Sequence, residues 1–346
     1  MAAVSDQQMN RNSIGIVSLA TYIPDNFMTS QELANKSGVP QDVIEDKMGI
    51  KQKPIPGKED HTCEMGIKAA NRAIEKGEID PENIDLVIYI GEEHKEWLLW
   101  TAGIKLQYEI GAENAWAFDI SQRCGTGVVG IEIAKSLMMA NPDINTVLLA
   151  GGYRNCDFID YENPRVRFMY NLGSGGGAMI LQKGLNKNKV LESSIITDGS
   201  LSEDVIVPAG GTKQPISSEA IKNKENYLDV TDPEGMKERL DEVSIKNFFK
   251  VIETAVEKSG YSTSDIDYLA LLHMKKSAHK GVLEELNLSE KQSIYLEEYG
   301  HLGQFDQILS TELALEQGKI TDGDLVVWVS AGIGYAWNAS VIKWGN

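Results

Sequence analysis

The chain has 346 residues, 42% of them hydrophobic and 24% charged, with a formal net charge of -18 at pH 7. That length suits either two globular domains or one α/β body with internal duplication, and the acidic balance excludes non-specific nucleic-acid binding, which needs clustered Lys and Arg. Three irregularly spaced cysteines, Cys63, Cys124 and Cys156, argue against a disulfide framework or a cysteine-rich zinc site and fit a reducing compartment.

In chain order, the N-terminal Met1-Ala-Ala-Val-Ser-Asp-Gln-Gln8 is polar and lacks the basic-then-apolar pattern of a secretory signal, so a cytoplasmic setting is expected. A helix is expected over Cys63–Lys76, leading through Asp80-Pro81-Glu82-Asn83 into an apolar strand, Leu86–Ile90. The charged run Gly91-Glu92-Glu93-His94-Lys95-Glu96 follows; a solvated loop is the simpler reading of it. Ala115–Ile120 alternates like a strand, and Val128, Ile131, Ala134, Lys135 and Met138 continue at helical spacing. Cys124 therefore stands where a strand ends and a helix begins, facing unpaired amides at the positive end of a helix dipole, a place that favours a nucleophilic thiolate. The competing reading is a buried cysteine that fills the core.

Gly173-Ser-Gly-Gly-Gly-Ala178 lacks the Lys-Ser/Thr ending of a phosphate loop and runs into a strand rather than a helix, so it reads as a tight turn with close backbone approach. Residues 197–242 are polar and irregular and read as an excursion packed over a site. A helix over Ile245–Lys258 leads through Ser262-Thr-Ser-Asp265 into the strand Tyr268–Leu272, which ends at His273. A histidine at the carboxyl end of such a strand points into the ligand crevice of an open α/β sheet or is satisfied at the core edge. His279 reads as a helix-surface residue. The longest uncharged run, Leu325–Ile342, is broken by Ser330, Gly332, Gly334, Asn338 and Ser340, which suits a strand and its turn rather than a membrane span. No histidine spacing indicates a metal site.

The pattern occurs twice. Matching Asp85 with Asp267 and Gly152 with Gly332 gives an offset of about 180 residues, which carries Cys124 close to His301. Two halves are expected, residues 1–183 with the cysteine and 184–346 with the histidines, so that Cys124, His273 and His301 meet at one site. Backbone amides of Cys124 and of Ile333, in Ser330-Ala-Gly-Ile-Gly-Tyr335, are candidates for an oxyanion hole.

These residues resemble the thiolase superfamily, and within it the β-ketoacyl-acyl-carrier-protein synthase III branch. Ile14-Gly-Ile-Val-Ser18, Gly49-Ile50, Asp80-Pro-Glu-Asn-Ile-Asp-Leu-Val-Ile88, Phe118-Asp119 before the cysteine, Gly173–Ala178, His273, Tyr299-Gly300 and Gly332-Ile-Gly-Tyr-Ala-Trp337 carry the likeness over nearly the whole chain. The resemblance implies a duplicated five-layered αβαβα fold and a homodimer. It implies that Cys124 accepts an acyl group from a coenzyme A thioester, a substrate rather than a bound cofactor, and that His273 assists a Claisen condensation, commonly decarboxylative, with a second substrate on CoA or an acyl carrier protein.

His301 stands where the family usually has asparagine, giving a Cys-His-His set like that of the elongating synthases. Val43 and Lys47 occupy the positions of the family's CoA-contacting tryptophan and arginine, and Lys47, Lys275, Lys276 and Lys280 are candidates for a positive rim near the phosphates. Glu92 falls near the catalytic glutamate of hydroxymethylglutaryl-CoA synthases, which makes aldol-type condensation with Glu92 as base an alternative. Transfer of the acyl group to an amine, alcohol or water is another.

Overall fold

The computed structural model describes residues 13–346, so the polar N-terminal octapeptide lies outside the described residues. In chain order the elements are β1 (Ile14–Tyr22), a small pair β2 (Asn26–Thr29) and β3 (Gln52–Ile55), α1 (Thr62–Gly77), β4 (Leu86–Tyr89), α2 (Ala102–Glu109), β5 (Trp116–Asp119) and α3 (Thr126–Ala140). Next come β6 (Thr146–Tyr153), β7 (Gly175–Lys183), β8 (Lys189–Thr197), the short pair β9 (Val205–Ile206) and β10 (Asp229–Val230), and α4 (Pro233–Lys258). The chain closes with β11 (Tyr268–Leu271), α5 (Lys276–Glu285), α6 (Asp306–Glu316), β12 (Leu325–Gly332) and β13 (Ala336–Lys343).

The strand order is β11-β12-β13-β8-β1-β7-β6-β4-β5. It reads symmetrically outward from its centre: β4 lies parallel to β6, which is antiparallel to β7 and then β1, while β11 lies parallel to β12, which is antiparallel to β13 and then β8. β1 and β8 touch at a single register pair, Gly15 with Lys189. The duplication read from the sequence is thus present in the topology, with β5 as the strand that extends the first half beyond its counterpart.

Helices fill three layers. α1 and α2 cover one face of the first half-sheet, α3 and α6 lie between the half-sheets, and α4 covers the outer face of the second. Three apolar clusters match these interfaces: one around Ala69, Ala73, Val87 and Leu148, one around Ile131, Met179, Phe305 and Trp328, and one around Val251, Ile252, Leu271 and Val327. α1 approaches its sheet closely enough that a Cβ on Gly152 would meet the Thr62 carbonyl at 2.1 Å, which is why glycine stands there.

α4 begins at Pro233, behind an Asp232 side chain that accepts from the Gly235 amide. This is earlier than the apolar spacing suggests, so the irregular stretch ends at residue 232: Asp232 and Pro233 form a capped start that polarity alone conceals. His279 is a second correction. It is buried on α5 with its ring edge-on to Tyr295, centroids 5.1 Å apart, because α5 lays this face against the 290–297 segment rather than toward solvent. Among the described residues no helix is long and apolar enough to cross a membrane.

Candidate active site

α3 and α6 begin at Thr126 and Asp306, 180 positions apart, so the duplicated middle layer brings two helix starts together. Cys124 sits just before the first. Its turn is tight: Arg123 is left-handed at φ 54°, the Gly125 amide donates to the Gln122 carbonyl at 3.2 Å, and Thr126 Oγ1 accepts from the Gln122 amide at 2.7 Å. Ser330 Oγ, at the end of β12, donates to the Cys124 carbonyl at 2.5 Å, which docks the second half onto the nucleophile turn.

His301 Nε2 lies 3.1 Å from Cys124 Sγ, and His301 Nδ1 lies 2.5 Å from Asp306 Oδ2. The carboxylate accepts from Nδ1–H, so Nε2 is the nitrogen that exchanges a proton with sulfur. Asp306 is wholly buried and also accepts from the Leu302 amide at 2.7 Å and the His273 amide at 2.7 Å. Burial alone would push His301 down, but the Asp306 carboxylate and the Cys124 sulfur outweigh it and hold the imidazole well above its ordinary value. The arrangement is a cysteine, a base and a carboxylate that orients the base.

His273 is in the same pocket with a different attachment. Its Nε2–H donates to the Gly49 carbonyl at 3.0 Å, its Nδ1 accepts from Asn171 Nδ2 at 2.9 Å, and its ring stacks on Tyr295. Burial lowers it to about 4, so this ring is neutral with both nitrogens engaged. The structure therefore joins Cys124 directly to His301, whereas His273 joins the cluster through its backbone and Asp306.

Two residues that sequence reasoning missed hold the histidines in place. The Asn171 carbonyl accepts the His301 amide at 2.8 Å while its side chain holds His273. On either side of it, the carbonyls of Tyr170 and Leu172 accept from Lys53 Nζ at 2.6 and 2.7 Å, and Lys53 also reaches Tyr161 Oη at 2.9 Å. Lys53 is fully buried and lowered by that burial to about 8. Gly300, at φ 63°, is required here because a Cβ would meet the Asn171 carbonyl at 2.4 Å. Asp306 is the 180-residue counterpart of Thr126, but only the structure shows that both begin helices. Asn171 and Lys53 had no readable signal, because their roles lie in long-range contacts.

The charged run after β4 divides. Glu93 pairs with Arg123 on the surface, and Glu96 turns back to accept the Cys63 amide at 2.7 Å at the start of α1. Glu92 is buried, accepts from Asn155 Nδ2 at 2.8 Å and lies 3.5 Å from Arg123. Its Oε1 has no hydrogen-bond partner. Burial raises its pKa, with Arg123 and Asn155 working against the rise. A solvated loop does not describe Glu92: the strand end carries it inward beside Arg123, the neighbour of Cys124.

Gly332 closes on the nucleophile turn, a Cβ there falling 3.1 Å from the Cys124 nitrogen, and Ile333 follows it. Neither the Cys124 nor the Ile333 amide donates to a backbone acceptor in the turns and loops among the described residues. Lys47 and Lys275 are exposed, Lys276 pairs with Glu297 at 3.3 Å and Lys280 with Glu290 at 2.9 Å. α5 packs against the helical turn Ile44–Met48 that carries Lys47, and Lys276 and Lys280, but not Lys47 or Lys275, line a cavity of about 280 Å³ with His279, Glu290, Tyr295, Glu297 and Lys319. Cys63 and Cys156 are both buried thiols pushed up to about 12 by that burial, which leaves them unreactive.

The sequence model of the family described as 3-Oxoacyl-[acyl-carrier-protein (ACP)] synthase III matches residues 118–199, and that of its C-terminal part matches residues 256–344. β-Ketoacyl-[acyl-carrier-protein] synthase III of Clostridioides difficile is 28% identical over 331 residues, covering 95% of this chain and 98% of its own length. The protein of the same name from Aliarcobacter butzleri is 26% identical, covering 94% and 96%. In fold, the crystal structure of 3-oxoacyl-[acyl-carrier-protein] synthase III from Aquifex aeolicus superposes with a TM-score of 0.82 at 21% identity, covering 96% of this chain and 100% of that one. The chain thus resembles 3-oxoacyl-[acyl-carrier-protein] synthase III, an enzyme of the thiolase superfamily, over nearly its whole length.

Proposed function

We propose that this chain is a condensing acyltransferase of Claisen type that works through an acyl-Cys124 intermediate. The observation that carries the reading is the 3.1 Å approach of His301 Nε2 to Cys124 Sγ with Asp306 behind it. In the first half-reaction the thiol proton passes to His301, sulfur attacks the carbonyl of a CoA thioester, and the amides of Cys124 and Ile333 receive the developing oxyanion. His301 then returns the proton to the departing CoA thiolate. The relatives' name supports a β-ketoacyl product built on a carrier-bound second substrate. After acylation the carbanion of that substrate, commonly formed with loss of carbon dioxide, attacks the acyl carbon, the C–S bond breaks, and Cys124 leaves as the thiolate. Incubation with acyl-CoAs followed by mass spectrometry tests the reading: an acyl adduct that then disappears on addition of a malonyl thioester supports it.

A second reading is favoured by Glu92, whose buried carboxylate has one oxygen without a partner. Such a group suits proton abstraction from a carbon acid, so the carbanion would arise without decarboxylation. Product analysis separates the two by the presence or absence of released carbon dioxide.

Lys47 and Lys275, both exposed, suit the phosphates of CoA or of a carrier prosthetic group once salt has screened the protein's overall acidity. A homodimer fits β5, which ends the sheet with one side unpaired, and the exposed Trp97, Leu98, Ile104, Tyr108 and Trp116 around it. Three free cysteines fit a cytoplasmic setting, and the two halves divide between β7 and β8, at residues 183 and 184. Sedimentation of the Trp116→Glu variant tests the dimer by loss of the dimeric species.

A further inference from the structure

A carbon nucleophile formed by decarboxylation needs no base for its attack, so once Cys124 is acylated the base that activated it stands beside the thioester without a proton to take from that substrate. His301 Nδ1–H donates to Asp306 Oδ2 at 2.5 Å, which leaves Nε2, 3.1 Å from Cys124 Sγ, as the nitrogen that takes and returns protons. Once CoA has departed with the thiol proton, His301 is neutral and its Nε2 lone pair lies beside the new thioester. His273 does not compete for this role, since its ring nitrogens are engaged by the Gly49 carbonyl at 3.0 Å and Asn171 Nδ2 at 2.9 Å. A base oriented by a buried carboxylate at an acyl-cysteine is the arrangement that activates an O–H nucleophile.

We propose that acyl-Cys124 is also released to a hydroxyl nucleophile, with His301 as the base and Asp306 as the carboxylate that orients it. The inference rests on the acyl-Cys124 reading and adds a second class of acceptor. In this step the hydroxyl oxygen forms a C–O bond to the acyl carbon while its proton moves to His301 Nε2. The C–S bond then breaks and Cys124 sulfur recovers that proton, giving an ester from an alcohol or an acid from water. Atoms and charges balance without an oxidant, reductant or metal. Cys124 and His301 are only 9% and 6% exposed, so few water molecules reach the thioester and an alcohol supplied in excess competes with them.

The test uses the full chain with acetyl-CoA and octanoyl-CoA, no malonyl compound, and 1-butanol as the acceptor probe. CoA release is followed by a thiol reagent, the enzyme by mass spectrometry, and the products as free acid or butyl ester. The expected result is CoA release beyond one equivalent per chain, with butyl ester rising as butanol is added. Asp306→Asn and His301→Gln should still acquire the adduct on long incubation while turnover falls about 10²- to 10⁴-fold. Release of a single equivalent with a lasting adduct on the unaltered chain overturns this inference and leaves acyl-Cys124 standing. Turnover unchanged in both variants overturns the role of His301 and Asp306, and absence of any adduct or CoA release overturns acyl-Cys124 itself.

Discussion

His301 Nδ1 and Asp306 Oδ2 are 2.5 Å apart at the start of α6, and the same carboxylate oxygen accepts the backbone amide of His273. One buried side chain thus raises the proton affinity of one histidine and fixes the loop of the other. Replacing it with the isosteric amide, Asp306→Asn, removes the charge that opposes burial, so the His301 titration midpoint falls from above its ordinary value of 6.5 to below it. Imidazole proton resonances followed against pH measure this directly. Because the folded value is raised in the unaltered protein, the pair stabilises the fold fully below about pH 6.5 and its contribution fades as pH rises through that folded value. Equal midpoints in the two proteins would contradict the pairing.

His273 and His279 behave in the opposite sense. Burial lowers both to about 4 from 6.5, so between those values the unfolded chain binds protons that the folded chain refuses. Stability should be complete above pH 6.5 and decline toward pH 4, by roughly 3 kcal/mol for each histidine. His279→Phe keeps an aromatic edge against Tyr295 and removes one of the two titrations, so its urea midpoint should fall less steeply with acid. Parallel acid profiles would refute this assignment.

Lys53 positions rather than reacts. Lys53→Met preserves length and leaves the carbonyls of Tyr170 and Leu172 without their donor, at about 1–3 kcal/mol for each buried group left unpaired, partly offset by relief of the buried charge. The expected result is a lower urea midpoint together with slower self-acylation, because Asn171 is the link to both histidines. A variant that is less stable but acylates at the original rate would show that Lys53 supports the fold alone.

Glu92→Gln keeps the shape of the side chain and removes its basicity. If condensation is decarboxylative, turnover after acylation should change by less than about tenfold, whereas a base for carbon-acid chemistry should show a loss of about 10²-fold or more with normal acyl-enzyme formation. Measuring adduct formation and product formation separately decides between them.

Much of this architecture was legible because duplication leaves a periodic trace: the Ile-Asp strand starts at Asp85 and Asp267 and the offset near 180 anticipated that Cys124 and His301 meet. The strand-to-helix position of Cys124 was equally readable from local alternation and spacing. The partnership of His301 with Asp306 required knowing that residue 306 begins a helix, which its flanking sequence Gly-Gln-Phe-Asp-Gln does not announce. Glu92 looked solvated because its neighbours are charged, yet a strand end sends successive side chains to opposite sides. Lys53 and Asn171 act through contacts more than a hundred residues distant, and His279 was hidden by its neighbours Lys275, Lys276 and Lys280.

The central claim is that Cys124, and no other thiol, carries the acyl group. Peptide mapping by mass spectrometry after incubation with acyl-CoA tests it most directly: the acyl mass should fall on the peptide containing Cys124, vanish in Cys124→Ala, and persist in Cys63→Ala and Cys156→Ala. Acyl label on Cys156 or Cys63, or an undiminished adduct in Cys124→Ala, would contradict the account.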